Sequence, residues 1–271
     1  MKKTEGLIKE HLKLVDIVIE LVDARIPLAS KNPLIDEIIK NKPRLLVFNK
    51  ADMADDKATE NWIKYYAASG IKVVKTNSLD GKGFNEIYSA INEVLKEKIE
   101  KYKEKNLNFV IKMMIVGIPN VGKSSFINKI SKKSSAKTGD KPGITKGKQW
   151  IRLSKEYELL DTPGILWHKF DDEEVAKKLA YVGAIKDEIL DVEELCFHLV
   201  GYLKNEYPNE LKERYKIEFS SEDDNFEIME NIGRKRGFMI KGGEIDTFRT
   251  ANMILDEVRG LKLGKISFDK V

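Results

Sequence analysis

The segment "LLVFNKAD", Leu45–Asp52, joins a run of apolar residues to a polar tetrapeptide. Its first four residues predict a strand that is buried on both faces. Asn49-Lys50-Ala51-Asp52 then follows at the end of that strand. The Asp52 carboxylate can accept hydrogen bonds from the N1–H and 2-amino groups of guanine, whereas adenine presents an acceptor at N1. We therefore expect a guanine site, with Asn49 at the far edge of the base and the Lys50 stem over its ring.

A second segment, "GIPNVGKSS" at Gly117–Ser125, matches the phosphate-loop pattern G-x-x-x-x-G-K-[ST]. It follows a predicted strand and opens a predicted helix, which is the context the pattern requires. Backbone amides of such a loop surround phosphate oxygens. Lys123 is expected to neutralise charge between the β- and γ-phosphates, and the Ser124 hydroxyl to bind Mg²⁺. The same nucleotide site is predicted to include Asn120, Val121, Gly122 and Ser125.

Two segments downstream of this loop predict the parts that respond to the γ-phosphate. "LLDTPG" places Asp161 at a strand end, where its carboxylate can hold Mg²⁺ through water, and the N–H of Gly164 can face the γ-phosphate. "PGIT" offers Thr145 as a second Mg²⁺ ligand. We expect Lys123, Thr145 and Gly164 to carry catalysis.

The segment "TNSLDGKG", Thr76–Gly83, follows the next predicted strand after the tetrapeptide. It is expected to close over the base through groups near Asn77 and Ser78. The base-recognition segments thus precede the phosphate loop along the chain. Because a parallel sheet depends on spatial neighbours, such a domain can be cut and rejoined where its termini lie close.

Strands alternate with helices up to about residue 170, which predicts an α/β fold with a mostly parallel sheet covered on both faces. Helical patterns alone follow. We therefore expect a circularly permuted phosphate-loop domain at residues 1–170 and a smaller all-α domain at 171–271. No apolar run approaches the roughly 20 residues that cross a bilayer.

These features resemble the circularly permuted GTPases of the ribosome biogenesis GTPase A family. The resemblance covers essentially the whole chain and rests on "VDARIP", "NKAD", "GIPNVGKSS", "KPGITKGKQW", "LLDTPGILW" and "GRKRGFMIKGGEIDTFRTANMIL". It implies a GTPase that is slow alone, is stimulated by the large ribosomal subunit or its precursor and contacts ribosomal RNA. The one cysteine, Cys196, cannot form an internal disulfide, so we expect a reducing cytoplasm or an organelle matrix of similar redox state. GTP or GDP, Mg²⁺ and K⁺ are the implied ligands, with Asn120 at the K⁺ ion.

The catalytic water has no obvious partner in this sequence. The position after Gly164 is Ile165, which cannot orient water, and the family has the same apolar residue there. In the family, an aromatic-Pro-Gly-His segment lies just before the residues that match Met1–Lys3, and its His is a candidate. His168 is the remaining candidate within the chain.

Two basic groups are candidates for phosphate contact, with RNA or, for the first group, with the bound nucleotide. The formal net charge is +4, and the lysines cluster between residues 129 and 148, with a second basic group at Arg234-Lys235-Arg236. Phosphate contact and solvated surface both explain such clusters. Two other functions stay open: a nucleotide-gated RNA- or protein-binding module with incidental hydrolysis, and a phosphate-loop ATPase, against which Asp52 argues.

Overall fold

The computed structural model describes residues 2–39, 42–138, 150–160 and 172–271. The backbone contacts divide the chain into two compact units. Unit 1 comprises Met1–Phe170 and Asp269–Val271, and unit 2 comprises Asp171–Phe268. Each unit is described by itself below.

Unit 1 is built on a six-stranded sheet in the order β3-β2-β1-β4-β6-β5. All neighbours are parallel except β5 and β6, which form an antiparallel pair at one edge. This confirms the α/β fold with a mostly parallel sheet. The strands are β1 (Ile17–Asp23), β2 (Arg44–Asn49), β3 (Lys72–Lys75), β4 (Ile111–Gly117), β5 (Trp150–Arg152) and β6 (Tyr157–Leu160).

Helices cover both faces of the sheet, and as a result every residue of the central strand β1 is buried. Val18 packs in an apolar cluster with Ile35 of α2, and Val22 packs in another with Trp62 of α3. The buried rings of Phe84 and Phe126 join α4 to α6, with centroids 4.8 Å apart. The helices of unit 1 are α1 (Lys2–Leu12), α2 (Pro33–Ile39), α3 (Asp56–Ala68), α4 (Phe84–Val94), α5 (Lys96–Glu104) and α6 (Lys123–Thr138).

Two helix boundaries differ from the sequence-based expectation. The pattern from residue 84 to 105 predicts one long helix, but the helix breaks at Leu95, whose side chain is buried. No residue of α5 is buried, so this segment lacks the apolar face that would hold it in line with α4. The Gly/Lys/Ser-rich sequence from Ser134 to Gly147 predicts a loop, but the described part of this segment is helical as far as Thr138.

Among the described residues of unit 2, helices joined by loops form the regular secondary structure, apart from an isolated bridge between Met239 and Ile245. Aspartate side chains cap four of its helices by accepting hydrogen bonds from backbone amides of the first turn, the first of them Asp172. Within the described ranges, no helix is both long and apolar enough to cross a bilayer. The helices are α7 (Glu173–Tyr181), a 3₁₀ turn (Asp187–Ile189), α8 (Val192–Glu206), α9 (Pro208–Tyr215), α10 (Asn225–Arg236) and α11 (Thr247–Arg259).

The last three residues belong to unit 1, although the sequence placed everything after residue 170 in the helical part. The reason is Asp269, whose buried carboxylate accepts hydrogen bonds from the N–H groups of Leu28 and Ala29 at 2.7 and 2.8 Å. Its carbonyl oxygen accepts a further bond from Trp62 Nε1 at 3.2 Å. The tail therefore satisfies polar groups in the turn that follows β1.

Replacing Asp269 with Ala is expected to lower the free energy of unfolding by about 2–3 kcal/mol, because two backbone N–H groups lose their acceptor. Asp269→Asn keeps one acceptor oxygen and should cost less. Thermal and urea unfolding measure both. Val271→Ala is the control, because Val271 is exposed; an equal loss in that variant would contradict the role of the Asp269 carboxylate.

Candidate functional site

The two predicted nucleotide-binding segments meet at one edge of the sheet. Asn49 ends β2 and Gly117 ends β4, and the strand β1 lies between them. All three strands are parallel, so their carboxyl ends lie on the same side. Segments far apart in sequence are thus brought together where α/β proteins bind ligands.

Asn49 joins three segments through its side-chain amide. Its Nδ2 donates a hydrogen bond to the Val121 carbonyl oxygen at 2.8 Å. Its Oδ1 accepts from Ser78 Oγ at 2.7 Å and from Thr76 Oγ1 at 3.3 Å. The amide is buried, so these bonds fix both its orientation and the distance between the loops. Asn49 therefore braces the loops, and its Oδ1 is already occupied by hydroxyl donors.

Lys50 makes a second connection between the tetrapeptide and the phosphate loop. Its ammonium Nζ lies 2.9 Å from the Asn120 carbonyl oxygen and 3.0 Å from Asp23 Oδ2. The backbone of Lys50 is left-handed, with φ of 57°, which turns the chain sharply after β2. Asp52 follows in this turn and is half-buried.

The phosphate loop ends in a tight turn at Gly122, whose φ is 97°. A Cβ atom at this position would lie 2.4 Å from Asn49 Nδ2, so only glycine fits beside the amide. Lys123 opens α6, and its Nζ donates to the carbonyl oxygens of Gly117 and Ile118, both at 2.8 Å. Burial lowers the pKa of Lys123 to about 8. Ser124 is exposed in the first turn of α6, as is Ser125.

Asp23, at the end of β1, was not singled out in the sequence but lies at the centre of this site. Its carboxylate is buried and accepts hydrogen bonds from Arg25 Nε at 2.9 Å and Arg25 Nη2 at 2.8 Å, besides the contact with Lys50. Burial alone raises the pKa of Asp23, but the two cations outweigh it and lower the pKa to about 2. The sequence did contain a signal for this site, because Asp23 and Arg25 are oppositely charged and stand two positions apart at the end of a predicted strand.

Of the other predicted positions, some make contacts within the described residues and others lie outside them. Asn77 turns its Oδ1 back to accept from the N–H of Leu79 at 2.8 Å, so this oxygen supports the loop itself. Lys129, the first lysine of the predicted basic cluster, donates to the Leu79 carbonyl oxygen at 3.0 Å. Four predicted positions lie outside the described residues: Thr145, Asp161, Gly164 and His168.

Two family models match overlapping parts of the chain. The model described as 50S ribosome-binding GTPase matches residues 112–231, which include the phosphate loop. The model described as RsgA GTPase matches residues 31–171, about half of the chain. The second match includes both the tetrapeptide and the phosphate loop.

Two relatives that share a name match over nearly their whole lengths. Ribosome biogenesis GTPase A of Bacillus cereus is 50% identical over 99% of this chain and 91% of its own. The Thermotoga maritima protein of the same name is 32% identical over 100% of this chain and 92% of its own. Among solved structures, GNP-bound YlqF from T. maritima is 30% identical with a TM-score of 0.66, covering 99% of this chain and 98% of that one.

The sheet, the order of its motifs and these matches define a circularly permuted phosphate-loop GTPase, a protein that binds guanine nucleotide and hydrolyses GTP. Because the identity reaches 50% over almost the full length of a relative, the family follows as well. The chain belongs to the ribosome biogenesis GTPase A family.

Gly122→Ala is expected to weaken GDP binding at least tenfold. The new methyl group would push the Asn49 amide away from the Val121 carbonyl and impose a left-handed backbone on a residue that disfavours it. Equilibrium titration with GDP measures the loss.

Gly70→Ala is the matched control for this substitution. Gly70 is also left-handed, with φ of 73°, but a Cβ atom there meets nothing within 4 Å. Its substitution should cost about 1 kcal/mol of stability and leave GDP affinity intact. Equal GDP affinities in the two variants would contradict the steric role assigned to Gly122.

Proposed function

We propose that this GTPase assembles the large ribosomal subunit in the cytoplasm and switches between ribosome-bound and free states with its nucleotide. The proposal draws its target from the description of the matched family model, 50S ribosome-binding GTPase. It draws its process from relatives named ribosome biogenesis GTPase A. Ribosomal RNA is the partner proposed for the exposed cations Arg234 and Lys235.

One observation carries the nucleotide part of the proposal. Asn49 and Lys50 bond the carbonyl oxygens of Val121 and Asn120, which lie 72 and 70 residues further along the chain. This arrangement supports a single site in which Asp52 reads the guanine edge and the phosphate loop holds the phosphates. In the proposal, the Lys50 stem covers the ring, and Ser78 supports the loop around the base.

Metal ions complete the proposed site. Ser124 stands in the first turn of α6, where a hydroxyl can bind Mg²⁺ beside the phosphates. Thr145, and Asp161 through water, would be the further Mg²⁺ ligands, and Asn120 would contact K⁺. Bound there, Mg²⁺ would supply positive charge that neutralises the charge developing on the phosphates during phosphoryl transfer.

Catalysis in the proposal depends mainly on charge and position. Lys123 would neutralise the β- and γ-phosphates, Thr145 would bind the metal and the Gly164 N–H would face the γ-phosphate. Ile165 offers no group that orients water, which leaves His168 as the candidate from the chain itself. A slow intrinsic rate and stimulation by the target follow from such a site.

The proposed domain arrangement assigns nucleotide binding to residues 1–170 and RNA binding to the helical residues from 171 onwards. Arg234 and Lys235 line a groove of about 580 Å³ in unit 2 together with Lys216, whose side chain is also exposed. Arg236, the third residue of the predicted basic group, instead contacts Glu257, 3.3 Å away, and lies 5.4 Å from the Tyr215 ring centroid. The groove cations are therefore the better candidates for phosphate contact.

Stimulation by the ribosomal target separates the proposed function from its alternative. Single-turnover GTP hydrolysis in K⁺ buffer is expected to accelerate at least tenfold when large subunits are added, because Ile165 cannot orient the attacking water and the target is proposed to complete the site. Small subunits at equal concentration are the control. Equal rates with and without large subunits would favour a nucleotide-gated binding module with incidental hydrolysis.

The groove makes a separate prediction about RNA. Substituting both Arg234 and Lys235 with Ala should weaken binding to large subunits. The slope of log binding constant against log salt concentration should become shallower by about one to two, because each lost phosphate contact removes about one released counterion. Co-sedimentation at several salt concentrations measures both quantities.

Arg236→Ala is the matched control, because it removes the same charge from the same helix. Its expected effect is a loss of stability through Glu257, with little change in the salt dependence. If Arg236→Ala weakened binding as much as the double substitution, the assignment of RNA contact to the groove would be wrong.

A further inference from the structure

We propose that Asp23 is a positioning residue for guanine-nucleotide binding and that it acts through Lys50. The inference rests on the proposed placement of the Lys50 stem over the base. Asp23 itself belongs to neither the tetrapeptide nor the phosphate loop. Its position at the end of β1, between β2 and β4, lets it reach Lys50 at the point where the two segments meet.

The geometry leaves the Lys50 side chain little freedom. Its ammonium is held by an anion and by a neutral oxygen, Asp23 Oδ2 at 3.0 Å and the Asn120 carbonyl at 2.9 Å. The Asp23 side chain is only 2% exposed, so solvent screens this ion pair weakly. A lysine stem normally samples many rotamers, and fixing it before the ligand arrives lowers the entropy lost on binding.

Arg25 keeps the Asp23 carboxylate in place and ionised. The guanidinium bonds both carboxylate oxygens, and the Arg25 backbone N–H adds a bond to Oδ1 at 3.1 Å. The N–H of Asp23 donates to Ser30 Oγ at 3.0 Å, which ties the start of this turn to its end. The carboxylate is thus a fixed anchor toward which the Lys50 ammonium is directed.

Asp23 should affect affinity and not the choice of base. The Lys50 stem covers a ring face, which guanine and hypoxanthine share. Asp52 is the proposed acceptor for the 2-amino group, which hypoxanthine lacks. Loss of Asp23 should therefore weaken GDP and IDP binding by the same factor, whereas loss of Asp52 should remove the preference for GDP.

A double-mutant cycle tests this coupling in the full chain. Asp23→Asn and Lys50→Gln, singly and together, are titrated with GDP and with IDP by calorimetry. Each single substitution is expected to weaken both nucleotides about tenfold, and the double variant should bind no more weakly than Lys50→Gln alone. Asp52→Ala is the reference in which the ratio of the two affinities falls toward one.

Two further variants separate positioning from folding. Glu20→Gln alters another buried carboxylate of β1, whose partner is Arg44 at 2.8 Å and not Lys50, and it should change GDP affinity less than twofold. Asp23→Asn combined with Arg25→Gln leaves no buried guanidinium without its anion. Thermal unfolding shows whether Asp23→Asn alone is folded. If it is not, the Asp23→Asn/Arg25→Gln variant replaces it in the titrations and is expected to show the same loss of affinity.

The outcomes distinguish the inference from the function on which it rests. Losses that multiply in the Asp23/Lys50 double variant would overturn the proposal, because Asp23 would then act independently of Lys50. Unchanged GDP affinity in a folded Asp23→Asn variant would overturn it too. If Lys50→Gln left GDP affinity unchanged, the proposed contact of Lys50 with the base would be wrong, and the inference would fall with it.

Discussion

The hydrogen bond from the Asn49 amide to the Val121 carbonyl oxygen is the contact on which the arrangement of the site depends. It crosses 72 residues of sequence and joins the end of β2 to the phosphate loop after β4. The bond can form because β1 separates these strands by a fixed width and all three are parallel. A change in the register of either strand would move the amide away from its acceptor. The order of the motifs along the chain matters less, since only their places in the sheet determine which groups meet.

The sequence predicted the features that depend on local pattern. Apolar runs ending at Asn49 and Gly117 indicated the two strands, and the glycine spacing of the phosphate loop indicated the turn before α6. Features that depend on distant contacts were not predictable in the same way. To predict that Asp23 pairs with Lys50, one must know which strands are neighbours. To predict the position of Asp269, one must know that the N–H groups of Leu28 and Ala29 need an acceptor from a distant part of the chain. The break in the helix at Leu95 was not predicted, because the periodicity of apolar residues does not show where a helix stops being buried.

Which cations are available to RNA also depends on contacts that the sequence does not show. Lys129 and Arg236 both belong to basic groups for which the sequence left phosphate contact and solvated surface open. The structure shows Lys129 bonding the Leu79 carbonyl and Arg236 paired with Glu257. A cation that already has an internal partner must lose that contact before it can bind RNA, so its contribution to affinity is reduced. Among the groove cations, Arg234 carries a similar cost, because its Nη1 donates to Asn231 Oδ1 at 2.8 Å. The exposed Lys235 and Lys216 are therefore the groove cations expected to lose least on binding RNA.

The end of β1 shows why a buried acid can serve a site for an anionic ligand. Asp23 carries one negative charge but faces two cations, Arg25 and Lys50, so the local group retains a net positive charge. Arg25 alone would neutralise the carboxylate, and the Lys50 ammonium then contributes its charge beside the Asn120 carbonyl, in the phosphate loop. The acid therefore fixes the position of a cation without cancelling the positive field of the loop. A neutral acceptor in place of Asp23 would remove the anion that Arg25 and Lys50 both contact, which is why the ionised form suits this position.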